Sequence, residues 1–285
     1  MFVKYNKMLD AGLYIVATPI GNLGDITQRA KEVLEEADVI AAEDTRNSKK
    51  LFTLLGISAR KPFIAYEDHL EQGRFEVIIK LIEDGKSVAL ISDAGSPLIS
   101  DPGYKLVFEC RKRRIKVTVL PGACAVVCAL QLSGLPTNRF MFAGFIPNKD
   151  KARSDLFAEL KDINSTLVLY ETALRLNKSL DALEKAMPRR NIAIVREISK
   201  VYEECISGSI AEVRHRLSEN PIKGELVLVI APPDDEETSV LDLEQILAGE
   251  LKNSTLKDAV RKVADKYNLK KSDVYEKALE LKNNT

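Results

Sequence analysis

The sequence is poor in the residues that build metal centres and covalent nucleophiles. It has two histidines, His69 and His215, and four cysteines, Cys110, Cys124, Cys128 and Cys205, with no CxxC pair. A structural zinc site needs four such ligands at close spacing, so no metal site is expected. Cys124 and Cys128 stand four apart in an apolar stretch and read as small hydrophobes. His69 reads as a solvated helix start and His215 as a surface position. Without a Ser-His-Asp or Cys-His arrangement, hydrolysis through a covalent intermediate has no support. Neither GxGxxG nor a Walker lysine is present. The 42 basic and 42 acidic residues cancel, so contact with nucleic acid must come from local patches. No apolar run approaches the ~20 residues of a membrane helix. Met1 to Gly12 mixes Lys4, Lys7 and Asp10 with apolar residues and lacks the core of a signal peptide. A cytoplasmic protein with no membrane partner is expected.

What is present is an ordinary globular composition, 45% hydrophobic and 29% charged over 285 residues, enough for two domains. Through the first half, strand-like runs (13–17, 39–42, 62–66, 87–91 and 115–120) alternate with helix-like runs (27–37, 48–55, 69–84 and 105–114). Asp25 or Thr27 caps the first helix and Gly56 ends the second. This is a βαβ series and predicts a mostly parallel, two-sided sheet. Pro121-Gly122 opens an apolar helix through Leu132. A second half has strands at 140–143, 166–170, 192–195, 201–206 and 225–230 and helices at 151–161, 173–186 and 209–218, which suits a mixed sheet. Pro232 to Glu237 is a stiff acidic linker, and helices follow at 240–250, 255–266 and 272–282. The expected organisation is an N-terminal α/β domain over 1–121, a second α/β domain over 122–233, and a linker with a small helical domain over 234–285. No internal repeat or low-complexity tract is visible.

The candidate chemistry lies in loops after strands, where open α/β sheets bind ligands. Ser92-Asp93-Ala94-Gly95-Ser96-Pro97-Leu98-Ile99-Ser100-Asp101-Pro102-Gly103 follows one apolar strand. Its prolines stiffen it and its glycines admit close backbone approach; a tight strand-to-helix turn uses the same residue types. Thr18 to Asp25 is a ligand-facing loop without the signature of a phosphate cradle. Glu43-Asp44-Thr45-Arg46 serves either to position a hydroxyl or to cap a helix. Leu120-Pro121-Gly122-Ala123 brings backbone to a ligand or opens a helix. Arg196 to Glu204 alternates in the manner of a half-exposed strand, and Tyr170-Glu171 ends a strongly apolar one. Together these loops predict one cleft between the halves, suited to group transfer from a bound small donor.

Several of these motifs, in this order, resemble the bacterial 16S rRNA (cytidine 2′-O)-methyltransferases of the tetrapyrrole methylase superfamily. The likeness runs through Ala17 to Asp25, Ala42 to Arg46, Ser92 to Gly103, Leu120 to Ala123, Phe142 to Pro147, Tyr170-Glu171, Arg196-Glu197 and Gly224 to Ile230. One departure is Tyr170-Glu171-Thr172-Ala173-Leu174-Arg175, where Leu174 takes the place of the family's histidine. The resemblance implies a two-domain α/β methyltransferase, a homodimer, with S-adenosylmethionine (SAM) in the interdomain cleft. It implies methylation of a cytidine 2′-hydroxyl in the decoding region of the small ribosomal subunit's RNA. It assigns SAM to Pro19, Ser92, Asp93, Ala94, Gly95, Leu98, Pro121, Ala123, Cys124, Tyr170, Gly224 and Glu225, and turns the loops 19–25 and 43–46 toward the nucleotide.

The implied reaction is an in-line displacement at the sulfonium methyl by a ribose hydroxyl. Orientation supplies up to ~7–11 kcal/mol in ideal cases and a general base ~10²–10⁴-fold. By charge type and loop placement the base candidates are Asp44 and Glu43, with Asp25 and Glu171 behind them; Arg46 is placed to anchor a phosphate. Arg111-Lys112-Arg113-Arg114 with Lys116, and a tail from Leu251 with nine basic against five acidic residues, are the candidate RNA patches. A small-molecule methylase of the same fold and a SAM-binding module without turnover are the alternatives.

Overall fold

The computed structural model describes residues 9–66, 74–233, 241–251, 254–267 and 270–283. His69, the start of the helix expected there, and the acidic linker from Asp234 lie outside them. The first sheet holds β1 (Gly12–Val16), β2 (Val39–Ala42), β3 (Phe63–Ala65), β4 (Ser87–Ile91) and β5 (Val117–Leu120), in the order β3-β2-β4-β1-β5 with every pairing parallel. Both faces are covered, which is why its strands are continuously apolar. Tyr14, Val16, Ile40, Ala42, Ala89 and Ile91 face α1 (Gln28–Glu36) and α2 (Thr45–Leu55). Their strand neighbours Leu13, Val39, Ala41, Val88 and Leu90 face α3 (Arg74–Glu83) and α4 (Tyr104–Lys112).

The chain then passes to a second, mixed sheet. It contains β6 (Phe140–Phe145), β7 (Thr166–Thr172), β8 (Ile192–Arg196), β9 (Glu204–Gly208) and β10 (Glu225–Ile230), in the order β6-β7-β10-β8-β9. Only β6 and β7 pair in parallel. Leu167, Leu169, Ile192, Ile194, Leu228 and Ile230 pack against α6 (Asp150–Leu160), α7 (Ala173–Ala186) and α8 (Ile210–Glu219). The opposite face, with Val168, Val195, Val227 and Val229, is covered by Val126, Ala129 and Leu130 of α5 (Ala125–Ser133). So α5, which follows the last strand of the first sheet, belongs to the core of the second. Beyond the linker, α9 (Leu241–Leu251), α10 (Leu256–Tyr267) and α11 (Lys271–Asn283) share a small core of Leu247, Val263, Val274 and Ala278.

Three local expectations are corrected and one choice between caps is resolved. The helix expected from Ser48 begins at Thr45, because the Asp44 carboxylate accepts the Arg46 N–H at 2.7 Å and caps it. The helix α5 starts at Ala125, leaving 121–124 as irregular backbone. The strand expected over 201–206 starts only at Glu204, since Glu197 and Ser199 adopt positive φ (52° and 66°) and fold 197–203 into a loop. Thr27, not Asp25, caps α1, accepting the Ala30 N–H at 3.1 Å.

Candidate active site

The carboxyl ends of β1, β2, β4 and β5 release four loops on one edge of the first sheet. They are stitched together by backbone and short side chains. Thr18 and Gly95 exchange N–H···O bonds of 2.8 and 3.0 Å. The Thr18 hydroxyl donates to the Ser92 carbonyl at 3.3 Å and the Ser96 hydroxyl to that of Ala123 at 3.0 Å. Gly95 sits at φ 80°, and a Cβ there would stand 3.1 Å from Ile20 Cγ2, so glycine alone fits without displacement. In the same loop Leu98 (φ 72°) and Ser100 (φ 67°) hold left-handed backbone that costs a side chain on the order of 1 kcal/mol each. Strain of this kind persists where the surroundings over-determine the loop.

Facing these loops is the edge of the second sheet where β7 and β8 end and β10 begins. The two edges enclose a cavity of about 340 Å³, within the range of small-molecule sites. Asp93, Gly95, Asp101 and Cys124 line it from one side, and Tyr170, Arg196, Ile198 and Leu226 from the other. The halves also touch directly. The Ser199 hydroxyl donates to Asp25, and a Cβ on Gly21 would fall 2.6 Å from Lys200 Cγ and 3.1 Å from the Ile198 carbonyl oxygen.

Of the site residues expected from the sequence, Glu43, Asp93, Ala94, Gly95, Cys124, Tyr170 and Glu225 form part of the cavity wall. Ser92 and Ala123 act behind it through their carbonyls. The Gly224 carbonyl accepts the Ala173 N–H at 2.9 Å. Pro19 is half-buried and Pro121 exposed, both beside the wall rather than in it. Leu98 turns into the first domain's core, where its Cδ1 would meet a Cβ on Gly103 at 2.8 Å. Asp44, Arg46 and Asp25 stand outside the wall.

Asp44 is fully engaged: besides capping α2, it takes Arg46 Nε at 3.2 Å and Nη2 at 2.8 Å. Hydrogen bonding to Arg46 holds its carboxyl down at about 2, which leaves it little affinity for a proton. The Arg46 side chain is 90% exposed. Behind it, Asp93 accepts the Asp44 N–H at 3.2 Å and the Asn47 amide at 2.7 Å, and the Asp93 N–H donates to Glu43 at 3.3 Å. Glu171, fully buried, accepts the Thr172 N–H at 2.7 Å, Arg175 Nη2 at 2.6 Å and the Ser179 hydroxyl; it anchors the end of β7.

Sequence reasoning gave Asp101 no role of its own and read Arg196 to Glu204 as a half-exposed strand, whereas Arg196, Glu197, Ile198 and Lys200 line the cavity. Asp101 lines the cavity, and burial pushes its carboxyl above the ordinary range; Asp93 adds to the rise and a hydrogen bond from Ser92 opposes it. Burial likewise raises the Tyr170 phenol, whose ring meets Phe142 and Phe145 edge-on at 4.9 and 5.1 Å. Among the described residues no group of histidine, cysteine and carboxylate side chains could hold a metal ion, and no helix is long and apolar enough to cross a membrane. The expected basic patches are half neutralised. Arg113 pairs with Glu76, Glu83 and Glu109, Lys112 with Glu109, and Lys116 with Asp10. In the helical tail Arg261, Lys262, Lys271 and Lys277 are paired as well.

Residues 12–214 match the family described as Tetrapyrrole (Corrin/Porphyrin) Methylases. The ribosomal RNA small subunit methyltransferase I of Pasteurella multocida is 45% identical over 94% of this chain and 96% of its own length. That of Erythrobacter litoralis is 47% identical over 96% of both. A crystal structure of uroporphyrin-III C-methyltransferase from Thermus thermophilus, complexed with S-adenyl homocysteine, superposes with TM-score 0.52 over 77% of this chain and 97% of that one. At 19% identity that likeness speaks for the fold alone. The parallel and mixed sheets facing one cavity, and near-full-length identity above 40%, give one conclusion: this chain belongs to the ribosomal RNA small subunit methyltransferase I family of the tetrapyrrole methylases.

Proposed function

We propose that this protein transfers a methyl group from SAM to the 2′-hydroxyl of a cytidine in the decoding region of 16S rRNA, in the cytoplasm. The observation that carries the reading is the cavity between the two sheet edges, built from the loops that carry the family likeness, in a chain that aligns with these relatives along almost its whole length. The donor set fits SAM. Six carboxylates and two cations line the cavity, a balance that favours a cationic sulfonium and disfavours donors carrying phosphates. Gly95 adds no side chain to the wall, so a bound adenosine or amino-acid group can lie close against its backbone. When bound, SAM supplies an activated methyl whose leaving group departs neutral.

The chain's own residues supply orientation and proton handling. Asp93, Ala94 and Gly95, with Cys124, Tyr170 and Glu225, form the wall that holds the donor. Asp44 fixes Arg46 as a phosphate anchor outside that wall. Glu43 and Asp101 are the wall carboxylates placed to take the hydroxyl proton, and the raised affinity of Asp101 suits it to that task. The working unit is a homodimer. This is supported by apolar side chains exposed on the edge strands, Val119 of β5 and Phe140, Met141 and Phe145 of β6, and on α4, Tyr104 and Phe108. Phe145 also lines the cavity, so a partner over β6 closes one side of it.

The test incubates the purified protein with labelled SAM and small subunits from cells that lack the modification, then maps the product by mass spectrometry. A 2′-O-methylcytidine in the decoding region is expected. Label in a small molecule only, or SAM binding without transfer to any ribosomal RNA, overturns the reading.

A further inference from the structure

Among the described residues, the three most exposed large hydrophobic side chains are Leu174 (98%), Val201 (92%) and Tyr202 (75%). Single exposed apolar residues are ordinary on a protein surface, but these three all follow strand ends that border the cavity. Leu226 of β10 pairs with Glu171 of β7 on one side and Arg196 of β8 on the other, and all three line the cavity. Leu174 lies in the first turn of α7, just past the end of β7, and Val201-Tyr202 lie in the loop that leaves β8. Lys200, immediately before them, is itself part of the wall. The three therefore follow the strand ends at the cavity's rim on the second domain.

The loop bearing Tyr202 is built to stay in place. Glu197 and Ser199 hold positive φ. The Ser199 N–H donates to the Glu203 carboxylate at 2.7 Å, the Lys200 N–H to the Glu197 carbonyl at 2.9 Å, and the Glu203 N–H to that of Lys200 at 3.2 Å. The Ser199 hydroxyl ties it to Asp25 of the first domain. An ordered loop thus presents an aromatic ring to solvent beside a cavity.

We propose that Tyr202, next to Val201 in the loop that leaves β8, is the platform on which a base of the RNA substrate stacks, an inference that rests on the RNA methyl-transfer reading above. A 2′-hydroxyl in paired RNA lies in the minor groove between neighbouring sugars, so drawing its nucleotide out of the helix lets it reach into a cavity between two domains. An exposed aromatic face recovers part of the lost stacking and accepts any base. The platform holds the nucleotide, while the wall of the cavity chooses the atom that is methylated.

The test compares the full-length wild type with Tyr202→Ala, Tyr202→Phe and Tyr202→Trp on small subunits that lack the modification, and measures SAM affinity by calorimetry. Tyr202→Ala is expected to raise KM for subunits on the order of 10-fold, with SAM affinity and melting temperature unchanged. Phe and Trp should keep the wild-type KM. A wild-type KM in the alanine variant, an equal loss in Tyr202→Phe, or a parallel loss of SAM affinity overturns the platform. A wild type inert on every ribosomal RNA refutes the RNA reading itself, and the platform with it.

Discussion

Glu171 separates an anchoring carboxylate from a catalytic one, and its replacement should show which it is. Both of its oxygens are used: one takes the Thr172 N–H and Arg175 Nη2, the other the Ser179 hydroxyl, and the side chain is fully buried. Glu171→Ala leaves buried donors without an acceptor and Arg175 without its partner. Arg175 is partly exposed and can regain water, so the cost is chiefly that of the Ser179 and Thr172 donors left without an acceptor, about 1–3 kcal/mol, or roughly 2–12 °C in melting temperature for a domain of this size. Glu171→Gln is milder. Its amide oxygen can still accept from Thr172 and Arg175, and the Ser179 hydroxyl can rotate to accept from the amide nitrogen. What goes is the charge assistance, about 1–1.5 kcal/mol, the difference between a hydrogen bond to a charged group and one to a neutral group. Differential scanning calorimetry of both variants, with kcat measured below the transition, gives the comparison. Anchoring predicts a graded loss of stability, Ala beyond Gln, with the folded Gln variant keeping kcat within about 3-fold. A Gln variant of wild-type stability whose kcat falls by the ~10²–10⁴-fold of a lost base would refute the anchoring argument.

Three other outcomes follow from the same geometry. Burial raises the Asp101 carboxyl above its ordinary 3.8, so its charge is a penalty to the folded state that grows as pH rises past that value. Asp101→Asn should therefore melt higher than wild type at pH 7, lose that advantage as pH falls to about 4, and transfer methyl groups more slowly. Arg46→Ala removes the chief hydrogen bonds holding the Asp44 carboxyl at about 2, and carboxyl chemical shifts should follow its return toward 3.8; the rate should fall through a raised KM for RNA. Gly95→Ala puts a methyl 3.1 Å from Ile20 Cγ2 at a φ of 80°. It should cost about 1 kcal/mol or more of stability and weaken SAM binding by calorimetry.

Strand ends were easy to read from sequence wherever a run was apolar on both faces, as in Val88 to Ile91, because burial on both faces leaves no other pattern. The alternation of strands and helices gave the parallel order of the first sheet for the same reason. Individual roles were harder to read, because they depend on which way a side chain leaves the backbone. Asp44 and Asp101 look equivalent as loop carboxylates, yet one is consumed by a helix cap and an arginine fork while the other lines the cavity. Leu98 sits within the most conspicuous motif but turns inward at φ 72° to fill the core. The 197–203 stretch has the alternation of a strand, and only two left-handed residues far from any glycine make it a loop.

Each sheet is built from one unbroken stretch of chain, 12–120 and then 125–230, with a single crossing at 121–124. During synthesis the first half can complete its core before the second has left the ribosome. The cavity exists only once the finished halves have docked. A molecule that fits it therefore binds the docked protein and no earlier form, and by mass action it draws the two halves together. In a cell, the supply of methyl donor would then set not only how fast this protein works but how much of it is fully assembled.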